Sequence, residues 1–127
     1  MKQKIYEIIK KPIDEGKKVV LAWNGDAYSG LIWWLGYKHL NLKFPIIFFD
    51  DGKHDASLYT FIHQIVKDND LDFKMVACED TKKAVKGLRK GYEKVFTGKD
   101  IPENAKTWNL LKTLGVPYYT GRRSMLG

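Results

Sequence analysis

At 127 residues and 14.7 kDa, the chain suits one domain large enough to bury about two-thirds of the surface its unfolded form exposes, and it is too short for two comfortable ones. Hydrophobic residues at 44% and charged residues at 29% exclude a disordered or fibrous chain. The formal charge of +7, from 22 Lys and Arg against 15 Asp and Glu, favours phosphate-bearing or acidic partners without singling out nucleic acid: the lysines and arginines at Lys2, Lys4, Lys10, Lys11, Lys17 and Lys18, and again from Lys82 to Lys90, read as ordinary solvated faces spread along the sequence.

Cys78 is the only cysteine, so no intrachain disulfide forms and a reducing compartment is expected. Met1 leads into lysines without the apolar core of a secretory signal. The longest apolar run, around residues 31–35, is far below the roughly 20 residues that cross a bilayer. These features predict a soluble cytoplasmic protein with no membrane partner.

Ile5, Ile8, Ile9 and Ile13 recur with helical spacing among charged residues and predict an amphipathic first helix, which Pro12 should kink or divide and Gly16 should end. Residues 19–23 form a short apolar run suited to a buried parallel strand, with a turn over 24–28. Residues 29–40 predict a helix whose apolar bulk, at Leu31, Ile32, Trp33, Trp34, Leu35, Tyr37 and Leu40, covers more than one face. It should lie between the sheet and a second neighbour, which is either the rest of the monomer or a second copy in a homodimer.

Residues 46–49 predict the next strand, ended by Asp50, Asp51 and Gly52. Leu58, Phe61, Ile62, Ile65 and Val66 mark a helix over 57–69, and 73–77 a third strand. This alternation predicts an α/β protein with a parallel sheet, right-handed crossovers and helices on both faces. Further on, Asp80 should cap a helix through Leu88, weakened by Gly87 and Gly91. A strand over 92–96 and a loop at Thr97, Gly98 and Pro102 follow. Residues 103–114 predict a helix with Ala105, Trp108, Leu111 and Leu114 on its apolar face, stopped by Gly115. A last short strand over 116–119 leaves 121–127 as a basic tail. No internal repeat or low-complexity segment is present.

Open parallel sheets bind ligands beyond the carboxyl ends of their strands, the place occupied by Asn24-Gly25-Asp26-Ala27-Tyr28-Ser29-Gly30. Gly25 permits a left-handed turn, the first amides of the next helix can donate to a phosphate, and Ser29 can add a hydroxyl. Neither the dinucleotide G-x-G-x-x-G nor the Walker pattern is present, so the alternative is a plain helix start capped by Asn24, Asp26 or Ser29. Asp50 and Asp51 are candidate Mg2+ ligands, with waters and substrate phosphates completing the shell, or simple turn caps.

Arg122 and Arg123 can complement phosphate through charge-assisted hydrogen bonds, or stay solvated. His54 should face the same loops, as a phosphate or proton-transfer group or as a turn histidine. His39, His54 and His63 form no zinc pattern, and Cys78 reads as a small hydrophobe at a strand end.

The run Val19-Val20-Leu21-Ala22-Trp23 followed by Asn24-Gly25-Asp26-Ala27-Tyr28-Ser29 resembles the S-G-G-x-D-S phosphate loop of the adenine-nucleotide alpha-hydrolase-like superfamily, specifically its phosphoadenosine phosphosulfate reductase and ATP-sulfurylase small-subunit branch. Gly25 and Ser29 match, while Asn24 replaces serine, Asp26 the second glycine and Tyr28 the aspartate. The branch's strand-end D-T-G is echoed by Asp50-Asp51-Gly52, and its T-G-x-R by Thr120-Gly121-Arg122-Arg123. The branch's catalytic E-C-G-x-H segment is absent, so thiol-dependent reduction is not expected.

The resemblance implies one three-layer Rossmann-like domain with a mainly parallel sheet over residues 1–127. It implies a site for an adenine nucleotide or phosphosulfate at Ala22, Asn24, Gly25, Asp26, Ser29, Gly30, Asp50, Gly52, Gly121, Arg122 and Arg123, with Mg2+ entering on the nucleotide. Phosphosulfate-reductase-like nucleotide handling and ATP α-phosphate chemistry are the enzymatic versions. A noncatalytic nucleotide sensor or interaction module, and a nucleic-acid-binding protein, are the alternatives.

Overall fold

The structure, a computed structural model, describes residues 2–119 and 124–125. Helix α1, Lys2–Asp14, buries Ile5 and Ile9. Pro12 lies in its last turn, and the helix runs through it undivided. It ends at Gly16, whose φ of +77° is open to glycine at no steric cost.

Strands β1 (Val19–Ala22), β2 (Ile46–Asp50), β3 (Phe73–Ala77) and β4 (Lys94–Phe96) form a four-stranded sheet in the order β3-β2-β1-β4, and every pairing in it is parallel. Leu21 and Ala22 pair with Ile46 and Ile47 on one edge of β1, while Val19, Val20 and Leu21 pair with Lys94, Val95 and Phe96 on the other. The chain therefore steps from β1 through β2 to β3 and then returns across β1 to form β4. Crossovers keep one hand, so the β3-to-β4 crossover, which runs in the opposite direction, puts its helix on the face opposite the helices of the two earlier crossovers.

The packing follows that rule. Helices α2 (Ala27–Trp33) and α3 (Ala56–Asn69) join α1 and α5 (Trp108–Leu114) against Val19, Leu21, Ile46, Phe48 and Phe96. Helix α4 (Thr81–Leu88) packs on the other face, over Val20, Ile47 and Val95. The result is a three-layer, Rossmann-like α/β fold, as expected.

The segment after β1 departs from a plain helix. Beyond α2 the chain widens into a π-helical stretch, Trp34–His39, marked by Leu40 N–H donating to Leu35 O at 2.9 Å and Leu42 N–H to Gly36 O at 2.8 Å. Gly36 lets this stretch approach Phe44: a Cβ there would sit 2.7 Å from its ring. Tyr37 locks the same contact by donating to Phe44 O at 2.6 Å. Leu31, Ile32, Trp33 and Leu35 are fully buried, and Trp34 Nε1 donates to Leu114 O at 2.9 Å. The second neighbour of this apolar helix is thus the C-terminal part of the same chain.

Three C-terminal expectations are corrected. Residues 103–114 are not one helix: a 3-10 turn, Glu103–Ala105, is separated from α5 by Lys106 and Thr107. Thr107 starts α5 afresh, its hydroxyl accepting from Leu110 N–H at 3.2 Å. Trp108, assigned to the apolar face, is 57% exposed and lies against the Tyr118 ring. The last strand, β5 (Tyr118–Tyr119), stays out of the main sheet and pairs antiparallel with β6 (Ser124–Met125), so the tail contains a strand of its own.

Two glycine substitutions separate packing from backbone entropy. Gly36→Ala is expected to destabilise by about 1–3 kcal/mol through overpacking against the Phe44 ring. Gly87→Ala, with nothing within 4 Å of its added Cβ, is expected to stabilise by about 0.5–1 kcal/mol. Urea unfolding midpoints measure both.

Candidate functional site

The reversal at β1 makes a topological switch point, where β1 and β4 lie side by side and the strand order changes direction. In open α/β sheets ligands occupy the crevice beyond the strand carboxyl ends at such a point. Here it is bounded by residues 23–29 after β1 and by the 3-10 turn Gly98–Asp100 after β4.

Ala22 ends β1, paired with Ile47. Gly25 takes a φ of +87°, and a Cβ on it would come 2.8 Å from Leu58 Cδ1 in the first turn of α3, so the turn is pressed against that helix. Asn24 shapes it by accepting from Asp26 N–H through Oδ1 at 3.1 Å. Asp26 is the N-cap of α2: its Oδ1 accepts from Ser29 N–H at 3.3 Å and also from the Ser29 hydroxyl. Ser29 is only 2% exposed, and both donors that the sequence offered to a phosphate are turned onto this carboxylate. Gly30 is close-packed, a Cβ there lying 3.5 Å from Trp23 Nε1 and 3.7 Å from Trp33 Nε1.

The segment after β4 completes the enclosure. A Cβ on Gly98 would be 3.4 Å from both Asp26 Oδ2 and Ser29 N, so the turn after β4 packs directly against the start of α2. The turn is held by Thr97, whose N–H donates to Asp100 Oδ2 at 2.9 Å and whose hydroxyl accepts from Lys99 N–H at 3.2 Å. Lys94 anchors Asp100 at 2.7 Å. Although Asp26 as a residue reaches solvent, its carboxylate is enclosed enough that burial raises its pKa above the usual 3.8, against the opposing pull of the Ser29 and Tyr28 amides and the Lys106 charge.

One strand away, Asp50 and Asp51 close two tight turns: Gly52 N–H donates to Asp50 Oδ1 at 2.8 Å and Lys53 N–H to Asp51 Oδ1 at 3.0 Å. Gly52 holds a φ of +78° with open space around it. Tyr59, from α3, donates to Asp50 Oδ1 at 2.6 Å. That bond, the Gly52 amide and the nearby His54 hold the Asp50 carboxyl below its usual range. The same bond to Asp50, with burial, pushes the Tyr59 phenol up to about 12.

His54 Nε2 lies 3.6 Å from Asp51 Oδ1, its ring against Phe48 and Tyr59. Asp50, Asp51 and His54 each offer a ligand atom within 4.8 Å of the others. Two carboxylates that each keep one oxygen outside these turn bonds fit a Mg2+ that brings waters and phosphate oxygens with it, whereas the His54 nitrogen is not a ligand Mg2+ favours. Cys78 donates its N–H to Asp50 O at 2.8 Å. Burial, then the negative charges of Asp51, Asp50 and Asp80, push its thiol pKa up, which disfavours the reactive thiolate.

The structure therefore gathers Ala22, Asn24, Gly25, Asp26, Ser29 and Gly30 on β1 and its turn, with Asp50 and Gly52 on the adjacent strand end. Gly121, Arg122 and Arg123 lie outside the described residues. Tyr119, the last described residue before them, touches the first turn of α3 through a 2.6 Å hydrogen bond between its hydroxyl and Ser57. Sequence reasoning missed Tyr59, Gly98 and Asp100. Tyr59 carried a signal, an aromatic on the first turn of the helix after the Asp50-Asp51-Gly52 turn; Gly98 and Asp100 carried none, because only the strand order brings β4 beside β1. His39 is exposed and bonds the Tyr6 hydroxyl at 2.9 Å through Nδ1.

No protein-family model and no curated protein matches the chain. Among solved structures, the NH3-dependent NAD synthetase from Campylobacter jejuni subsp. jejuni NCTC 11168, in complex with the nitrate ion, is similar at 17% identity with a TM-score of 0.48. The match covers 91% of this chain and 47% of that one, so the chain spans about half of that protein's length.

The Asp50–Tyr59 bond is directly testable. A phenol raised from 10 to about 12 keeps its proton in the folded state where the unfolded state has lost it, so this group's stabilisation is lost as pH rises from 10 toward 12. In a carbon-13 tyrosine NMR titration, one ring is expected to titrate near 12 and to move back toward 10 in Asp50→Asn. Burial also raises the Tyr37 phenol, so the Tyr59 ring is identified by its loss in Tyr59→Phe; if that ring titrates unchanged in Asp50→Asn, Asp50 is not its partner.

Proposed function

We propose that this protein binds a phosphorylated adenine nucleotide at the carboxyl edge of its parallel sheet, with the phosphates at the β1 turn. The observation that carries the reading is the strand order β3-β2-β1-β4, because it sets the Gly25 turn and the start of α2 at the switch point where such sheets take ligands. The resemblance to the adenine-nucleotide alpha-hydrolase-like superfamily in three separate segments supplies the adenine. Phosphosulfate-reductase-like handling of a phosphosulfate is the finer version of the same proposal. The thiol-dependent reduction step is left out, because Cys78 is disfavoured as a thiolate. A reducing cytoplasm, where such nucleotides are supplied, is the compartment this reading fits.

In this reading Asp26 occupies the anion position of the ligand-free site. A phosphate competes with it for Ser29 N–H and Oγ and must overcome its negative charge as well. Arg122 and Arg123 offset that charge. Asp50 and Asp51 hold the Mg2+ that accompanies the nucleotide, which when bound neutralises phosphate charge. A nucleotide sensor without turnover uses the same residues, and the two separate on whether pyrophosphate, AMP or a sulfur-transfer product accumulates.

Isothermal titration with AMP, ATP, adenosine phosphosulfate and its phosphorylated form, each with and without Mg2+, tests the proposal. Saturable binding is expected, weakened about 3–10-fold by Ser29→Ala for one lost hydrogen bond. Asp26→Asn is expected to tighten binding about tenfold, since it removes a like charge worth about 1.4 kcal/mol at that position. Failure of all four ligands to bind would overturn the assignment. Binding that ignores both substitutions would move the site elsewhere.

A further inference from the structure

The basic residues are dispersed along the sequence, but the fold gathers one group of them. Helix α4 and the turn that continues it carry Lys82, Lys83, Lys86, Arg89 and Lys90, all exposed. At about 100° per residue Lys82, Lys83 and Lys86 fall within an arc of about 100° on the helix, and Arg89, its C-cap, and Lys90 follow in the turn. Ala84, Val85 and Leu88 occupy the opposite side, and Val85 and Leu88 are packed onto the cluster of Val20, Ile47 and Val95. Residues 81–92 contain no acidic side chain. Among the described residues none of the five cations belongs to an ion pair, whereas Lys94 and Lys106 elsewhere are paired with Asp100 and Glu103. Asp80, at the helix start, is engaged in capping Lys83 N–H at 3.1 Å.

We propose that this face is a docking surface for the phosphate backbone of a nucleic acid, read without regard to base sequence. It is a row of charge without ion-pair partners that runs about 9 Å from Lys82 to the helix end at about 1.5 Å per residue and continues through Arg89 and Lys90 in the turn, a length that matches about three phosphates spaced about 3.4 Å apart along the axis of one strand. Gly87, where an added Cβ would meet nothing within 4 Å, borders the row and leaves room for a sugar-phosphate chain to come close to the helix. Arg89 continues the surface into an open cavity of about 400 Å³ that it shares with Tyr92, Glu93, Lys94 and Val95.

The chemistry of the face selects this partner over two others. An amphipathic helix that lies in a membrane inserts its apolar side, and here that side is already committed to the sheet. A protein interface depends on buried aromatic or aliphatic anchors, and no such side chain stands among these cations. What the face offers is charge alone, the determinant of sequence-independent binding to nucleic acid.

Fluorescence anisotropy with mixed-sequence single strands and duplexes of about 20 nucleotides, over about 50–200 mM salt, tests the proposal. Binding of at least one form is expected, with an affinity that falls steeply with salt. The triple variant Lys82→Gln, Lys86→Gln, Lys90→Gln should reduce the log–log salt slope by about 2–3 and weaken binding at least tenfold at the low-salt end. Glutamine has nearly the helix propensity of lysine, and all three side chains are exposed, so the fold is kept. The charge-matched triple Lys4→Gln, Lys11→Gln, Lys67→Gln, also exposed, should leave the slope almost unchanged. No binding at low salt, equal losses in the two triples, or stronger retention by anionic phospholipid vesicles than by either oligonucleotide would each overturn the proposal.

Discussion

Everything in this molecule is referred to β1. Its backbone is hydrogen-bonded on both edges, to β2 and to β4, and its side chains are divided between two cores, Val19 and Leu21 in one and Val20 in the other. A parallel strand placed this way cannot shift register by one residue, because the shift would exchange its two buried faces and break both ladders. The position of the turn after Ala22 is therefore fixed by the sheet, and the turn's chemistry is delivered to one defined place. The same strand marks where the chain reverses across the sheet, so it sets both the switch-point crevice and the isolation of α4 on the second face.

At that crevice the protein meets its own electrostatic demand. The start of α2 leaves backbone N–H groups without helical partners, and the buried hydroxyl of Ser29 also needs an acceptor. One carboxylate, that of Asp26, satisfies both, which is an ordinary cap worth about 1 kcal/mol. It is placed against Gly98, and burial raises its pKa, so part of the capping gain is returned as desolvation. The neighbouring Asp50 differs: two donors, Tyr59 and Gly52, lower its pKa, and it stays ionised. Two carboxylates near adjacent strand ends thus have opposite tendencies, burial raising the pKa of one and hydrogen-bond donors lowering that of the other.

The elements that the sequence disclosed are those with a local cause. Residues 73–77 were delimited as they are in the structure because the run ends against Cys78 and a capping Asp80, and α3 was clear from the stripe Leu58, Phe61, Ile62, Ile65. Asp26 as a cap was one of the alternatives that N-cap chemistry put forward. What escaped had a nonlocal cause. The π-helical stretch at Trp34–His39 arises where Gly36 must meet Phe44, a contact invisible to periodicity. The supposed helix over 103–114 broke because Thr107 caps a new start, and the apolar stripe that seemed to include Trp108 belonged to two separate turns. At the site, Gly98 reaches Asp26 only because β4 lies beside β1. Likewise, the lysines of 82–90 look like any charged run until their angular positions are set against a helix whose other side is fixed.

That last point ties charge to packing. Among the described residues, helix α4 alone covers the second face of the sheet, and it is only eight residues long. Its larger apolar side chains, Val85 and Leu88, are spent on the cluster of Val20, Ile47 and Val95, which leaves the outward arc no part in holding the fold together. A solvated helix face usually mixes signs, because opposite charges three or four residues apart support the helix and like charges oppose it. Lys82 and Lys86 stand four residues apart with the same sign, which opposes the helix, while Lys86 in the last turn and Arg89 at the C-cap lie at the negative end of the helix dipole, which favours them. Helix and charge are thus divided between the two sides of one short element: the inward side holds the second face of the sheet, and the outward side presents positive charge to solvent.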